Sequence, residues 1–153
     1  MPANAHDLRQ LRGVLRLRQI RCEQAERIHE HSRKALVQSQ RLLELALRQQ
    51  RATLARLGER QCAGALLDPA QHEQRLLAQQ AGQLHIDDWR HATAEALAAQ
   101  EQALADLLAA KVAEDVATKA FERLATALRQ HTEQRERLDI FDSWLPRKQP
   151  HGL

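Results

Sequence analysis

The chain has 153 residues, enough for one ordinary domain, but two Phe, two Trp and no Tyr leave few bulky side chains for a compact core. Ala, Leu, Gln, Arg and Glu dominate instead, a composition typical of long helices and coiled coils. The net charge of +3 is unevenly distributed: residues 1–57 carry +7 (12 basic, 5 acidic) and residues 86–153 carry −3 (9 basic, 12 acidic). Either the two halves attract each other along their length, or these charges form an ordinary solvated surface.

Several protein classes are not indicated by this sequence. Cys22 and Cys62 are too few for a disulfide scaffold, which favours a reducing cytosol. No uncharged run approaches the length of a membrane span, and the N-terminus lacks the apolar region of a secretory signal. A phosphate-binding loop, a nucleophile elbow and a zinc-protease motif are all missing from the sequence. We therefore expect a cytoplasmic protein that is not an enzyme and holds no cofactor or metal.

The first predicted element is a helix over about residues 6–63. Counting by sevens from Leu8 gives mostly apolar a positions, and counting from Leu11 gives d positions that are small from Ala25 onward. Small d residues allow a partner helix to approach closely if that partner supplies bulk. The a positions are Leu8, Leu15, Cys22, His29, Leu36, Leu43, Gln50 and Leu57.

The middle of the chain contains helix-breaking residues, among them Gly58, Gly64 and Gly82. Asp68 followed by Pro69 is a typical helix start, with Asp68 as N-cap and Pro69 at the first helical position. The pattern predicts a tip over residues 64–85 that includes a short helix at about 69–81.

A second long helix is predicted over about residues 86–145, followed by a flexible tail at 146–153. Its a positions are counted from Ile86 and its d positions from Trp89. Antiparallel pairing with the first helix can be aligned so that large residues oppose small ones. That register places Leu36 opposite Ala117 and, less favourably, Arg18 opposite Arg135. The predicted fold is all-α: a long antiparallel two-helix coiled-coil hairpin with a short helix at its tip.

The opening stretch LRQLRGVLRLRQIR carries five arginines and no acid. On a helix, Leu8, Leu11 and Leu15 face the partner helix, which leaves a second apolar strip on the outer side between two bands of arginine. An apolar patch flanked by Arg favours a protein interface. The alternatives are scattered exposed aliphatics of no consequence, a membrane-surface helix, or a nucleic-acid-binding helix, although no base-stacking aromatics lie nearby.

The predicted hairpin brings the C-terminal cluster Ile140, Phe141, Trp144 and Leu145 to the same end as the opening stretch. This cluster is either part of the binding site or a small apolar core that seals the coiled coil. The predicted partner-binding residues are Arg9, Arg12, Val14, Arg16, Leu17, Arg18, Ile20, Arg21, Phe141 and Trp144.

A second candidate site lies in HIDDWRH at the predicted start of the second long helix. His85, Asp87, Asp88 and His91 have the i,i+3 and i,i+4 spacings that metal ligands use. Acids are also common in the first turn of any helix, and the sequence favours this ordinary interpretation over a metal site.

The chain resembles the stalk proteins of type III secretion, the YscO/FliJ-like group. The basic start with LRLRQIRCEQAERIHEHSRKAL, the central break and the closing KAFERLATALRQHTEQRERLD carry the resemblance, which extends over nearly the entire chain. The aromatic ending IFDSWLP departs from it, since a more charged ending is expected there.

The resemblance implies a cytoplasmic, non-catalytic coiled coil at the base of a bacterial secretion apparatus. Proteins of that group insert into the central hole of a hexameric ATPase ring, link the ring to the export gate and also escort export chaperones. It assigns Arg12, Arg16, Arg18 and Arg21 to the ATPase contact by position, and we place Val14 and Leu17 with them. Two other functions stay open: a coiled-coil assembly factor or chaperone that self-associates through the outer strip, and a basic nucleic-acid-binding helical hairpin.

Overall fold

The computed structural model describes residues 4–62 and 68–145 and contains two long helices. Helix α1 runs over Ala5–Cys62 and helix α2 over Pro69–Trp144. The predicted all-α fold class is confirmed. The predicted tail at 146–153 lies outside the described residues.

Both helices begin at residues whose side chains satisfy free backbone N–H groups. Asn4 Oδ1 accepts a hydrogen bond from the backbone N–H of Asp7 at 3.0 Å, and the Asp7 carboxylate accepts one from the N–H of Asn4 at 3.4 Å. This reciprocal arrangement is a capping box. At the start of α2, Asp68 Oδ1 accepts a hydrogen bond from the N–H of Ala70 at 3.1 Å, as the Asp68-Pro69 pair predicted.

The predicted division of the second half into a tip helix and a later long helix is wrong, because α2 continues without interruption through residues 82–86. Gly82 does not break the helix but makes room for a side chain of α1. A Cβ added at Gly82 would collide with Oε1 of Gln50, whose Nε2 lies 3.5 Å from the carbonyl oxygen of Gln79. Gly82 therefore serves a close approach, at the usual cost of glycine in a helix, about 1 kcal/mol.

The chain divides into two compact units. Unit 1 comprises residues 1–23 and 109–153, and unit 2 comprises residues 24–108. Each unit therefore contains one segment of α1 and one segment of α2.

In unit 1, the guanidinium of Arg12 lies over the ring of Phe121, 5.7 Å from its centroid, and Arg18 contacts Ala113. Residue numbers fall along α2 as they rise along α1, so these contacts follow an antiparallel order. Cys22 and Ala117 are buried in this unit, and Leu8, Leu11 and Leu15 are half-buried, as expected for a and d positions.

In unit 2, the contacts also follow an antiparallel order. The side chain of Gln50 contacts Gly82. Nearer the N-terminus of α1, Nε2 of His29 lies 3.4 Å from the side-chain amide nitrogen of Gln100. Among the described residues of this unit, the buried side chains all occupy predicted a or d positions, and two of the four are alanines. They are Ala46, Ile86, Ala103 and Leu107.

The predicted register between the two helices is wrong by about three heptads. It placed Arg18 opposite Arg135, whereas Arg18 contacts Ala113. The cause is the spacing of the helices along the chain: α1 ends at Cys62 and α2 already begins at Pro69, whereas the prediction placed a 22-residue tip between its long helices. A shift of whole heptads leaves the same residues on the packing face. The residues that are buried therefore lie on the predicted packing face, whereas the predicted partners across that face are wrong.

Candidate protein interface

The predicted outer strip lies on the surface of unit 1. Val14, Leu17 and Ile20 are 41%, 49% and 43% exposed, because Leu11 and Leu15 turn the opposite side of α1 toward α2. Long aliphatic side chains that keep this exposure along two turns of one helix form a contiguous apolar surface.

Three exposed arginines, Arg9, Arg16 and Arg21, flank these aliphatic side chains. None of these three arginines makes a hydrogen bond or ion pair that the structure shows. Together the six residues form a surface that we call the basic strip: Arg9, Val14, Arg16, Leu17, Ile20 and Arg21. The planar guanidinium carries five donors and suits carboxylates, so the strip can contact an apolar groove with an acidic edge.

Two other predicted contact arginines are engaged inside unit 1. The Arg12 guanidinium stacks over Phe121, a cation–π contact. Arg18 is half-buried and donates a hydrogen bond from Nη1 to the backbone carbonyl of Ala113 at 3.0 Å. The heptad count already gave the signal for Arg18, because it occupies a d position. Arg12 and Arg18 therefore both contact α2 within unit 1: Arg12 stays exposed while it stacks on Phe121, and Arg18 is half-buried.

The predicted meeting of the opening stretch with Phe141 and Trp144 is wrong. Arg12 lies at Phe121, and Phe141 is about 20 residues farther along α2, or roughly 30 Å at 1.5 Å per residue. Because the pair is antiparallel, the start of α1 at Ala5 lies opposite about residue 128. Residues 129–145 are exposed throughout, and no described residue of α1 lies against them. We call this segment the overhang.

The overhang contains exposed residues that the sequence analysis placed in the packing face. Leu138 and Leu145, both d positions, are 61% and 52% exposed. The heptads of the second helix can be continued backward from Ile86 through Gln79 to Pro69. This continuation shortens the predicted tip, and the C-terminal end of α2 then extends past the start of α1 without a partner. Gly82 obscured this signal.

The second candidate site has local partners for its polar groups. Nε2 of His85 accepts a hydrogen bond from the indole N–H of Trp89 at 3.1 Å, and Asp87 accepts one from Gln83 at 3.1 Å. His91 lies 3.0 Å from Glu95. Among the side chains described, at residues 4–60 and 68–145, no three of His, Cys, Asp or Glu are grouped so as to hold a metal ion.

Neither helix, over its described length, combines the extent and the apolar character that crossing a bilayer requires. No family model matches the chain, and no curated protein or solved structure is significantly similar to it.

Proposed function

We propose that the protein is a non-catalytic stalk of a bacterial type III secretion system, as its resemblance to the YscO/FliJ-like group implies. In this role it acts at the cytoplasmic base of the secretion apparatus. It binds the hexameric secretion ATPase and couples the ring to the export gate protein, with export chaperones as further partners.

The observation that carries the proposal is the basic strip. Exposed aliphatic side chains with arginines on both sides have the composition found near the centre of protein interfaces. Nucleic acid would use the arginines but leave Val14, Leu17 and Ile20 in water, so the strip fits a protein partner better. Helices of 58 and 76 residues suit a stalk, which needs length more than a pocket.

The arginines of the basic strip contribute orientation and association rate, and the aliphatics contribute burial. Fully burying one aliphatic side chain yields about 1.5–3 kcal/mol. Charges at the edge of an interface mainly speed association and reject wrong partners. The proposed ATPase surface therefore has an apolar centre and acidic residues around it.

The test uses the secretion ATPase from the same genome and follows its hexamer formation and ATP turnover. We expect the wild-type chain to promote both, and Arg16→Glu/Arg21→Glu to weaken the effect by about tenfold in required concentration. Arg51→Glu/Arg56→Glu, which reverses two exposed arginines of α1 in unit 2, is the matched control and should act like wild type.

A second pair of variants tests the aliphatic part of the strip. Val14→Asp/Leu17→Asp should abolish the effect on the ATPase, whereas Val112→Asp/Val116→Asp, at exposed apolar positions of α2 in the same unit, should retain it. Circular dichroism verifies the helical content of each variant. An ATPase that ignores the wild-type chain, or responds equally to strip and control variants, would contradict the proposal.

A further inference from the structure

A glycine lies inside the basic strip, in a helix that continues on both sides of it. α1 runs over Ala5–Cys62 without a break, and Gly13 is an exposed residue of its N-terminal part. Glycine in a helix interior makes the folding equilibrium about fivefold less favourable than alanine would, because glycine loses more backbone freedom on folding. A glycine at this place therefore needs a structural or functional reason.

The packing of α1 against α2 does not supply that reason. A Cβ added at Gly82 would collide with the side chain of Gln50, so that glycine serves the close approach of the two helices. A Cβ added at Gly13 would meet no described atom within 4 Å apart from its chain neighbours and the local helix backbone. Gly58 is equally unobstructed, but it lies in the last turns of α1, where helices fray.

The position of Gly13 makes it a recess in the basic strip. At 100° per residue, it lies about 40° around the helix from Leu17, on the same side of α1 as the exposed aliphatic side chains. Its neighbours one turn away are Arg9, Gln10, Arg16 and Leu17, and all four are exposed. In helix packing, a gap bordered by side chains of the turns before and after it receives a side chain of the facing helix.

The border of this recess is basic on one side and uncharged on the other. Arg9 and Arg16 lie on the same side, within about 60° of Gly13 around the helix, whereas Gln10 and Leu17 lie on the opposite side. A guanidinium suits a carboxylate, and an apolar anchor in a pocket is typical of the centre of an interface. The recess therefore fits a bulky apolar side chain that has a carboxylate next to it.

We propose that Gly13 determines the specificity of the basic strip, because its recess receives a bulky apolar side chain of the partner. An acidic residue of the partner beside that side chain contacts Arg9 and Arg16. This inference rests on the proposed function, in which the partner is the secretion ATPase. A flat apolar strip would gain contact area from a larger side chain at position 13, whereas a recess is blocked by it. The two cases differ in the sign of the effect.

Gly13→Leu and Gly13→Ala in the full chain test the proposal in the ATPase assay. Gly13→Leu should raise the concentration required for activation by at least about tenfold, because the leucine occupies the space of the partner's side chain. Gly13→Ala adds a single carbon and should have a smaller effect of the same sign. Ala55→Leu is the matched control: Ala55 is exposed, has the same heptad position in unit 2, and should tolerate leucine without any change in activation.

Urea unfolding followed by circular dichroism separates the effect on the partner from an effect on the fold. Gly13→Ala should make the folding equilibrium about fivefold more favourable, because the new Cβ meets no obstacle. The expected result is a more stable chain that activates the ATPase less well.

Two outcomes would contradict different parts of this account. If Gly13→Leu acts like wild type or activates at a lower concentration, the recess has no such role, while the strip itself stands as long as Arg16→Glu/Arg21→Glu weakens activation. An ATPase that ignores the wild-type chain overturns the proposed function, and the role of Gly13 with it.

Discussion

Two consecutive segments of α2 in unit 1 both have leucine at d positions of the same heptad count, but their surroundings are opposite. In residues 109–128, the a and d side chains face α1, and Ala117 is 4% exposed. In the overhang, Leu138 at a d position is 61% exposed. The comparison shows that a heptad pattern defines a face of a helix, whereas the position of the partner helix decides whether that face is buried.

The largest expected effect is in a paired segment with a bulky packing residue. Leu107→Ala in unit 2 should lower the free energy of unfolding by about 2–5 kcal/mol, because it removes a buried side chain and leaves a cavity. The adjacent Leu108 is 55% exposed, and Leu108→Ala should change the free energy by less than about 0.5 kcal/mol. Urea unfolding followed by circular dichroism measures both; equal effects would mean that the heptads do not identify the packing face.

The next prediction compares the two segments of unit 1 directly. Leu124→Ala in the paired segment should cost about 1–2 kcal/mol, because Leu124 is half-buried and loses part of its apolar contact with α1. Leu138→Ala in the overhang should cost less than about 0.5 kcal/mol, since an exposed side chain loses no packing. The measurement is urea unfolding at a concentration low enough for the chain to be monomeric. A larger loss at Leu138 would contradict the assignment of the overhang as unpaired.

A smaller effect is expected where the paired segment of unit 2 has a glycine in its packing face. Gly82→Ala gains helix propensity, but the new Cβ must displace the amide of Gln50. In a Gln50→Ala background the obstacle is gone, so Gly82→Ala should then stabilise the protein by about 1 kcal/mol. A double-mutant cycle measured by urea unfolding should give a coupling of about 0.5–1 kcal/mol. No coupling would show that Gly82 has no role in the close approach.

The sequence was sufficient to predict the composition of the packing face but not the partners across it. Predicted a and d residues such as Cys22, Ala46 and Leu107 are buried, because burial follows the period of the helix. The register depends instead on how many residues separate the two helices, and the glycine pattern wrongly assigns Gly82 to the predicted tip. A glycine indicates a helix break only when no neighbouring side chain occupies the space that its missing side chain leaves. That Gln50 lies against Gly82 cannot be known before the register is known.

The same limit explains the outcome for the candidate interface. Exposure of Val14, Leu17 and Ile20 depends on the helical period alone and was predictable. The distance between Arg12 and Phe141 depends on the register. Whether these residues form one site could therefore not be predicted from the helical period. Because the predicted tip is too long, the sequence analysis joined the basic strip and the overhang in one site, whereas the structure has them as two separate surfaces.

The smallest effect is expected on the solvent-facing side of the paired segment in unit 2. Arg33 donates hydrogen bonds to Glu30 from Nε at 3.2 Å and from Nη2 at 3.0 Å, and these bonds hold the pKa of the Glu30 carboxyl below its ordinary 4.5. A carboxyl whose pKa is lowered by folding stabilises the protein above its unfolded pKa and loses that contribution as the pH falls through the folded pKa. Since both side chains are exposed, water screens the pair and the contribution is small.

Arg33→Gln should therefore return the pKa of Glu30 toward 4.5, measured by NMR titration of its carboxyl carbon. Any stability difference from wild type should be present near neutral pH and vanish in acid, where Glu30 is protonated in both proteins. Arg48→Gln is the matched control, because Arg48 pairs with Glu44 at 2.7 Å and should leave Glu30 unchanged. If Arg33→Gln leaves the Glu30 titration unchanged, this ion pair is not formed in solution. The Glu30–Arg33 pair on the solvent-facing side of α1 would then, like the exposed side chains of the overhang, contribute nothing to the free energy of unfolding.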